Sequence, residues 1–139
     1  RRWLAARQLA DGGFPLSART AAGDVDTTGA ALWALGRTME PAAIRRARAF
    51  LRAAQSPNGG LGAQAGQQAN SQTTALAVTG MRAAGIPPGR MRTEDGITPL
   101  DYLRARMGPG GSVAYDVSSA RTPVWVTAQA LLALGAARP

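Results

Sequence analysis

The chain has 139 residues with a net charge of +8, no Cys and no His. Those absences exclude disulfide staples, Cys or His zinc sites, thiol nucleophiles and any Ser-His-Asp arrangement. All 16 basic residues are Arg, Gly and Pro together number 26, and no apolar run approaches the ~20 residues of a membrane span.

In chain order, the first segment is WLAARQLADGGF, Trp3 to Phe14. An aromatic–Leu pair is followed five residues after the aromatic by Gln8, and Gly12–Gly13 closes the unit. The same order returns in FLRAAQSPNGGL, Phe50 to Leu61, with Gln55 and Gly59–Gly60, and more loosely in YLRARMGPGGSV, Tyr102 to Val113, with Met107 and Gly110–Gly111. The aromatics lie 47 and 52 positions apart, a period suited to a two-helix repeat.

After each Gly pair a second stretch follows: DVDTTGAALWAL (Asp24 to Leu35), NSQTTALAVTGM (Asn70 to Met81) and PVWVTAQALLAL (Pro123 to Leu134). Aligning Thr28, Thr74 and Thr127 also aligns Leu32, Val78 and Leu131. These stretches are apolar or small nearly all round, which predicts inner helices covered on most sides. In AAIRRARAFLRAAQ, by contrast, Ile44, Ala47, Leu51 and Ala54 form one stripe with the arginines off it, the pattern of a half-exposed outer helix. Arg45, Arg48 and Arg52 share one face of that helix. An Arg-only, Ala-rich composition needs no phosphate contacts to explain it, so this run reads as a solvated face rather than a nucleic-acid site.

Local signals divide the chain in the same way. Asp24 and Asn70 are N-cap residues, and Thr98–Pro99 and Thr122–Pro123 each set a capping residue before a Pro at the first helical position. Gly36, Gly85 and Gly135 end the inner helices. The expected architecture is one all-α domain over 1–139. Its three α-hairpins (about 1–39, 40–85 and 98–137, with a loop at 86–97) form a solenoid arc or half of an α/α toroid. Half a ring leaves an apolar inner face uncovered, which predicts self-association, a missing half in a longer chain, or an apolar ligand.

The pattern of basic and small residues, aromatic–Leu, Gln and Gly resembles the QW repeat of squalene–hopene cyclases. It is carried by Arg46, Ala47, Phe50, Leu51, Gln55 and Gly59, by Trp3, Leu4, Gln8, Gly12 and Phe14, and departs from the repeat at Met107 and Ser112. By this pattern the chain resembles the prenyltransferase and squalene-oxidase repeat superfamily. It is especially similar to its often exported actinobacterial members, with their TPVWVTAQALLAL-like segment (here Thr122 to Leu134). The resemblance implies an α/α toroid and suggests export. The zinc prenyltransferases and thioester domains of the superfamily need Cys or His, and its lyases on similar toroids usually rely on His; this chain has neither residue.

Two functions remain. One is a non-catalytic module that binds a protein partner or an apolar or amphipathic ligand on its inner-helix face, with no cofactor and no metal. The other is a class II terpene cyclase or a fragment of one. Asp24-Val25-Asp26-Thr27-Thr28 resembles the Asp-x-Asp-Asp-Thr acid motif of those enzymes, with Thr27 in place of the second adjacent Asp. By that resemblance Asp26, assisted by Asp24, is the proton donor, and Trp33 and Trp125 are candidate ligand-binding walls for a carbocation. Against it, Asn70-Ser71-Gln72-Thr73-Thr74 occupies the equivalent place in the second copy and has no acid, so capping explains both clusters.

Overall fold

The computed structural model describes residues 1–135. Six α-helices occur among them: α1 (Arg2–Ala5), α2 (Val25–Leu35), α3 (Pro41–Ala53), α4 (Ser71–Ala83), α5 (Pro99–Ala105) and α6 (Pro123–Leu134). Strands β1 (Phe14–Pro15) and β2 (Gly23–Asp24) pair antiparallel, with Phe14 opposite Asp24 and Pro15 opposite Gly23. The expectation of an all-α, three-hairpin arc of an α/α toroid is therefore corrected. The molecule is about 49% helical, mixed and small, with a two-stranded sheet in place of a purely helical layer. Residues 136 and 137 of the third expected segment lie outside the described residues.

The physical reason for the correction lies in the punctuation. Helix α1 has four residues and α5 seven, and apart from the short link between α2 and α3 the stretches between helices are long turns rather than short helix-to-helix connections. The sheet exists because Asp11 spans it. Its Oδ1 accepts from the Gly13 amide at 2.8 Å and its Oδ2 from the Gly23 amide at 2.9 Å, while two glycines allow the backbones to meet. A Cβ on Gly23 would sit 2.8 Å from Gly13 Cα.

Helix α4 organises the interior. It packs against α2 on one side and α6 on the other, and α5 also lies against it. Ala77 and Met81 join a cluster with Phe14, Val25, Leu32, Leu35 and Leu51. Ala75 and Val78 join a second cluster with Tyr102, Leu103, Val126 and Ala130. The contact between α2 and α4 is a backbone contact. Gly29 faces the Leu76 carbonyl, which an added Cβ would approach to 2.7 Å, and Gly80 lies on the Gly29 carbonyl with no room for a Cβ. Helix α3 shows the half-exposed pattern: Ala47 and Leu51 are buried, and Arg45, Arg46, Arg48 and Arg52 are exposed.

Capping follows the sequence at three helix starts and departs from it at one. Asp24 Oδ1 accepts from the Thr27 amide at 2.8 Å and Asn70 Oδ1 from the Thr73 amide at 2.9 Å. Thr98 and Asp101 form a reciprocal capping box. Thr122, expected to cap α6, makes no side-chain cap bond and instead takes a left-handed backbone with φ of 44°. That conformation is costly for a β-branched residue, and it removes the hydroxyl from the amides it would have capped.

Candidate functional site

Three turns lead into the apolar helices; the first two share a glutamine's bonds and all three share a threonine's. Gln8 Nε2 donates to the Gly12 carbonyl at 3.0 Å and to the Ala43 carbonyl at 2.8 Å. Gln55 Nε2 donates to the Gly59 carbonyl at 3.1 Å and to the Met91 carbonyl at 3.4 Å. Each turn then docks on a threonine of the following helix: the Phe14, Leu61 and Val113 amides donate to Thr28, Thr74 and Thr127 Oγ1 at 2.8, 2.9 and 2.8 Å. The left-handed glycines of these turns are Gly12, Gly59 and Gly111. The third Gly pair is accordingly out of register: Gly111–Ser112, not Gly110–Gly111, matches Gly12–Gly13 and Gly59–Gly60.

The glycines that follow are seats for aromatic rings. Phe50 lies on Gly13, where a Cβ would meet its ring at 2.8 Å, and Tyr102 lies on Gly60, where a Cβ would meet its ring at 2.7 Å. Tyr102 also donates from its hydroxyl to the buried Ala69 carbonyl at 3.0 Å. In the third turn the equivalent position is Ser112, which carries a Cβ and is exposed. Trp3, the first aromatic in this register, lies on no glycine and is 68% exposed, with the Arg7 guanidinium 4.6 Å from its ring centroid.

The acids singled out by sequence lie side by side at the start of α2 and have different work. Asp24 is a cap: its Oδ1 accepts from both the amide and the hydroxyl of Thr27, at 2.8 and 3.0 Å. Asp26 is half-buried, and its Oδ1 is sealed from solvent with no hydrogen-bond partner. Burial pushes its carboxyl above the usual range. The Thr73 side chain beside it pulls the other way, and the negative charge of Asp24 adds to the rise. The structure does not bring the two tryptophans into a shared cavity with this acid. Trp33 is 61% and Trp125 59% exposed, and the two helices that carry them are separated by α4.

Four surface grooves can be placed around these elements. One lies between Arg52, Gln55, Arg92 and Glu94; one between Trp3, Arg7, Phe14 and Leu16; one between Gln67, Asn70, Tyr115 and Arg121; and one between Gly111, Pro123, Val124, Ala128 and Leu131. None of these four includes Asp24, Asp26, Trp33 or Trp125. No cluster of three or more potential metal ligands occurs among the described residues, and no helix there is long and apolar enough to cross a membrane.

Among the described residues, three large exposed apolar side chains fall on α6. Val124 is 84% and Leu132 66% exposed beside Trp125, and only Val126, Ala130 and Ala133 of this helix are buried. Sequence reading expected α6 to be covered on most sides like the other inner helices; it is covered on one. The residues it missed are the threonine hydroxyls that hold the turns and the Gly29–Gly80 contact. The shared alignment of Thr28, Thr74 and Thr127 was the signal for the first. No family model matches the chain, and no curated protein matches it.

Proposed function

We propose that this protein is a non-catalytic binding module, related to the prenyltransferase and squalene-oxidase repeat proteins by its QW-like segments, that takes a protein partner or an apolar or amphipathic ligand on the free faces of its apolar helices. The supporting observation is α6, which has no charged residue from Pro123 to Leu134 yet presents Val124, Trp125 and Leu132 to solvent. Such contiguous exposure marks interaction surfaces. Binding of a hydrophobic fluorescent dye by the folded protein tests it. The expected result is enhanced fluorescence that the Val124→Ser/Leu132→Ser double variant loses without change in melting temperature. Absence of dye binding by the folded wild-type chain contradicts the reading.

A second reading, acid-initiated terpene cyclisation, is favoured by one observation, the sealed and unpartnered Oδ1 of Asp26, whose burial pushes the carboxyl above its usual range. Protonating an alkene requires a carboxyl kept neutral and dry until it acts. Incubation with squalene and with isoprenoid diphosphates separates the two readings: products that vanish in Asp26→Asn support cyclisation, and unchanged substrate supports the binding module. The exposure of both tryptophans weighs toward the latter, because a carbocation needs water excluded.

A further inference from the structure

We infer that the occupant of the free α6 face is a second copy of this chain, docked head to tail through the free face of its α2; this deepens the reading above and rests on it. The argument comes from the two helix joints already inside the molecule. At the first, Gly29 and Leu32 of α2 are buried against Leu76, Ala77 and Gly80 of α4. In the register fixed by the three threonines, the second joint sets Ala75 and Val78 of α4 toward Ala130 and Ala133 of α6, and all four are fully buried. Small residues thus meet at both joints, which lets the helices approach closely.

The same register places one half of a third joint on each end of the molecule. On α6 the positions equivalent to Gly29 and Leu32 are Ala128 and Leu131, exposed and half-buried. On α2 the positions equivalent to Leu76 and Gly80 are Ala30 and Ala34, both exposed. The two bare faces are therefore the two sides of a joint that the chain builds twice, and neither finds its counterpart within the molecule. The groove of about 450 Å³ between the Gly111 turn and Ala128 lies where Tyr102 stands beside the preceding turn.

The outer half of this joint is blunted. Ser112 carries a Cβ where Gly13 and Gly60 have none, so Trp3 of the second copy cannot seat as Phe50 and Tyr102 do. Met107 offers no amide where Gln8 and Gln55 donate. The contact between copies is consequently weaker than the two joints inside the chain. It also forms against a net charge of +8 on each copy, so added salt strengthens it by screening that repulsion.

The absence of cysteine makes the test direct. Ala34 and Ala128 stand at the positions that Ala133 and Ala75 hold in the second joint, where both sides carry a Cβ, so Ala34→Cys and Ala128→Cys are mixed under mild oxidation. The expected product is a mixed disulfide dimer, formed at least about tenfold faster than with Arg48→Cys in place of either partner, because docking raises the local concentration of the two thiols. All three positions are exposed, and unchanged circular dichroism melting confirms folding. Dimers from Ala128→Cys alone at that rate would replace this arrangement with a two-fold α6 pair and overturn the inference. A mixed pair no faster than the control overturns self-docking altogether. Dye binding that persists in that case leaves the binding-module reading standing, whereas its loss as well removes both.

Discussion

Helix α4 has α2 on one flank and α6 on the other, and eight of its thirteen residues are buried, whereas α6, the more apolar sequence, buries three of twelve. The buried positions of α4 include Ser71, Thr73 and Thr74, each tied by a hydrogen bond: Ser71 Oγ donates to the Ala114 carbonyl at 2.6 Å, the Thr73 amide donates to Asn70, and Thr74 Oγ1 donates to the Asn70 carbonyl at 2.7 Å. Burial in this molecule follows position in the row of helices, and polarity is tolerated wherever a turn supplies the partner. Apolar composition alone does not secure cover, and α6 is left with an exposed apolar face.

The comparison can be broken most sharply at the glycines of the covered joint. Gly80→Val has no room for its side chain against the Gly29 carbonyl and should destabilise the fold by about 3 kcal/mol or more in urea unfolding. Ala128→Val, on the bare face of α6, should change stability by less than about 0.5 kcal/mol. Equal effects at the two positions would show that α6 is covered as α4 is.

Smaller differences sharpen the contrast. Thr74 is fully buried, so Thr74→Val strands the Leu61 amide, while the Asn70 carbonyl keeps the backbone amide of residue 74, and the change should cost roughly 2 kcal/mol. Thr127 is half-buried, and the Val113 amide it serves can recruit water more readily, so Thr127→Val should cost about 1 kcal/mol by the same measurement. Tyr102→Phe removes the bond to Ala69 while keeping the ring on Gly60, a loss of about 1 kcal/mol.

The smallest effect concerns Asp26. Its folded pKa is raised above 3.8, so the folded state holds the proton more tightly than the unfolded chain. Its contribution to stability is complete below 3.8 and is lost as pH rises through the folded value. Asp26→Asn should therefore flatten this part of the pH–stability curve and leave the variant relatively more stable at neutral pH. A curve that kept its slope in the variant would assign the dependence to another group.

Much of this was legible in the amino-acid order. The caps at Asp24, Asn70 and Thr98 follow from short polar side chains before apolar runs, and the exposed arginines of α3 from helical spacing. What escaped was long-range. That Gly29 and Gly80 exist to let two backbones touch is invisible until α2 and α4 are paired, since a helical glycine has no local signature of a neighbour. The sheet at Phe14 and Gly23 depends on one carboxylate, Asp11, reaching two amides ten residues apart. The left-handed Thr122 departs from a favourable capping pair, and no local signal in Thr122–Pro123 announces it. At the site, the motif around Asp26 was readable, but the exposure of Trp33 and Trp125 was not, because apolar runs predict burial without saying on which flank.

Amide hydrogen exchange at two protein concentrations tests the contrast between α4 and α6 most directly. The expected result is that α4 amides from Ala75 to Met81 are strongly protected at both concentrations. Amides of α6 from Ala128 to Leu132 should be weakly protected in dilute solution and gain protection as the protein is concentrated. Protection of α6 equal to that of α4 in dilute solution, or unchanged by concentration, would contradict the account.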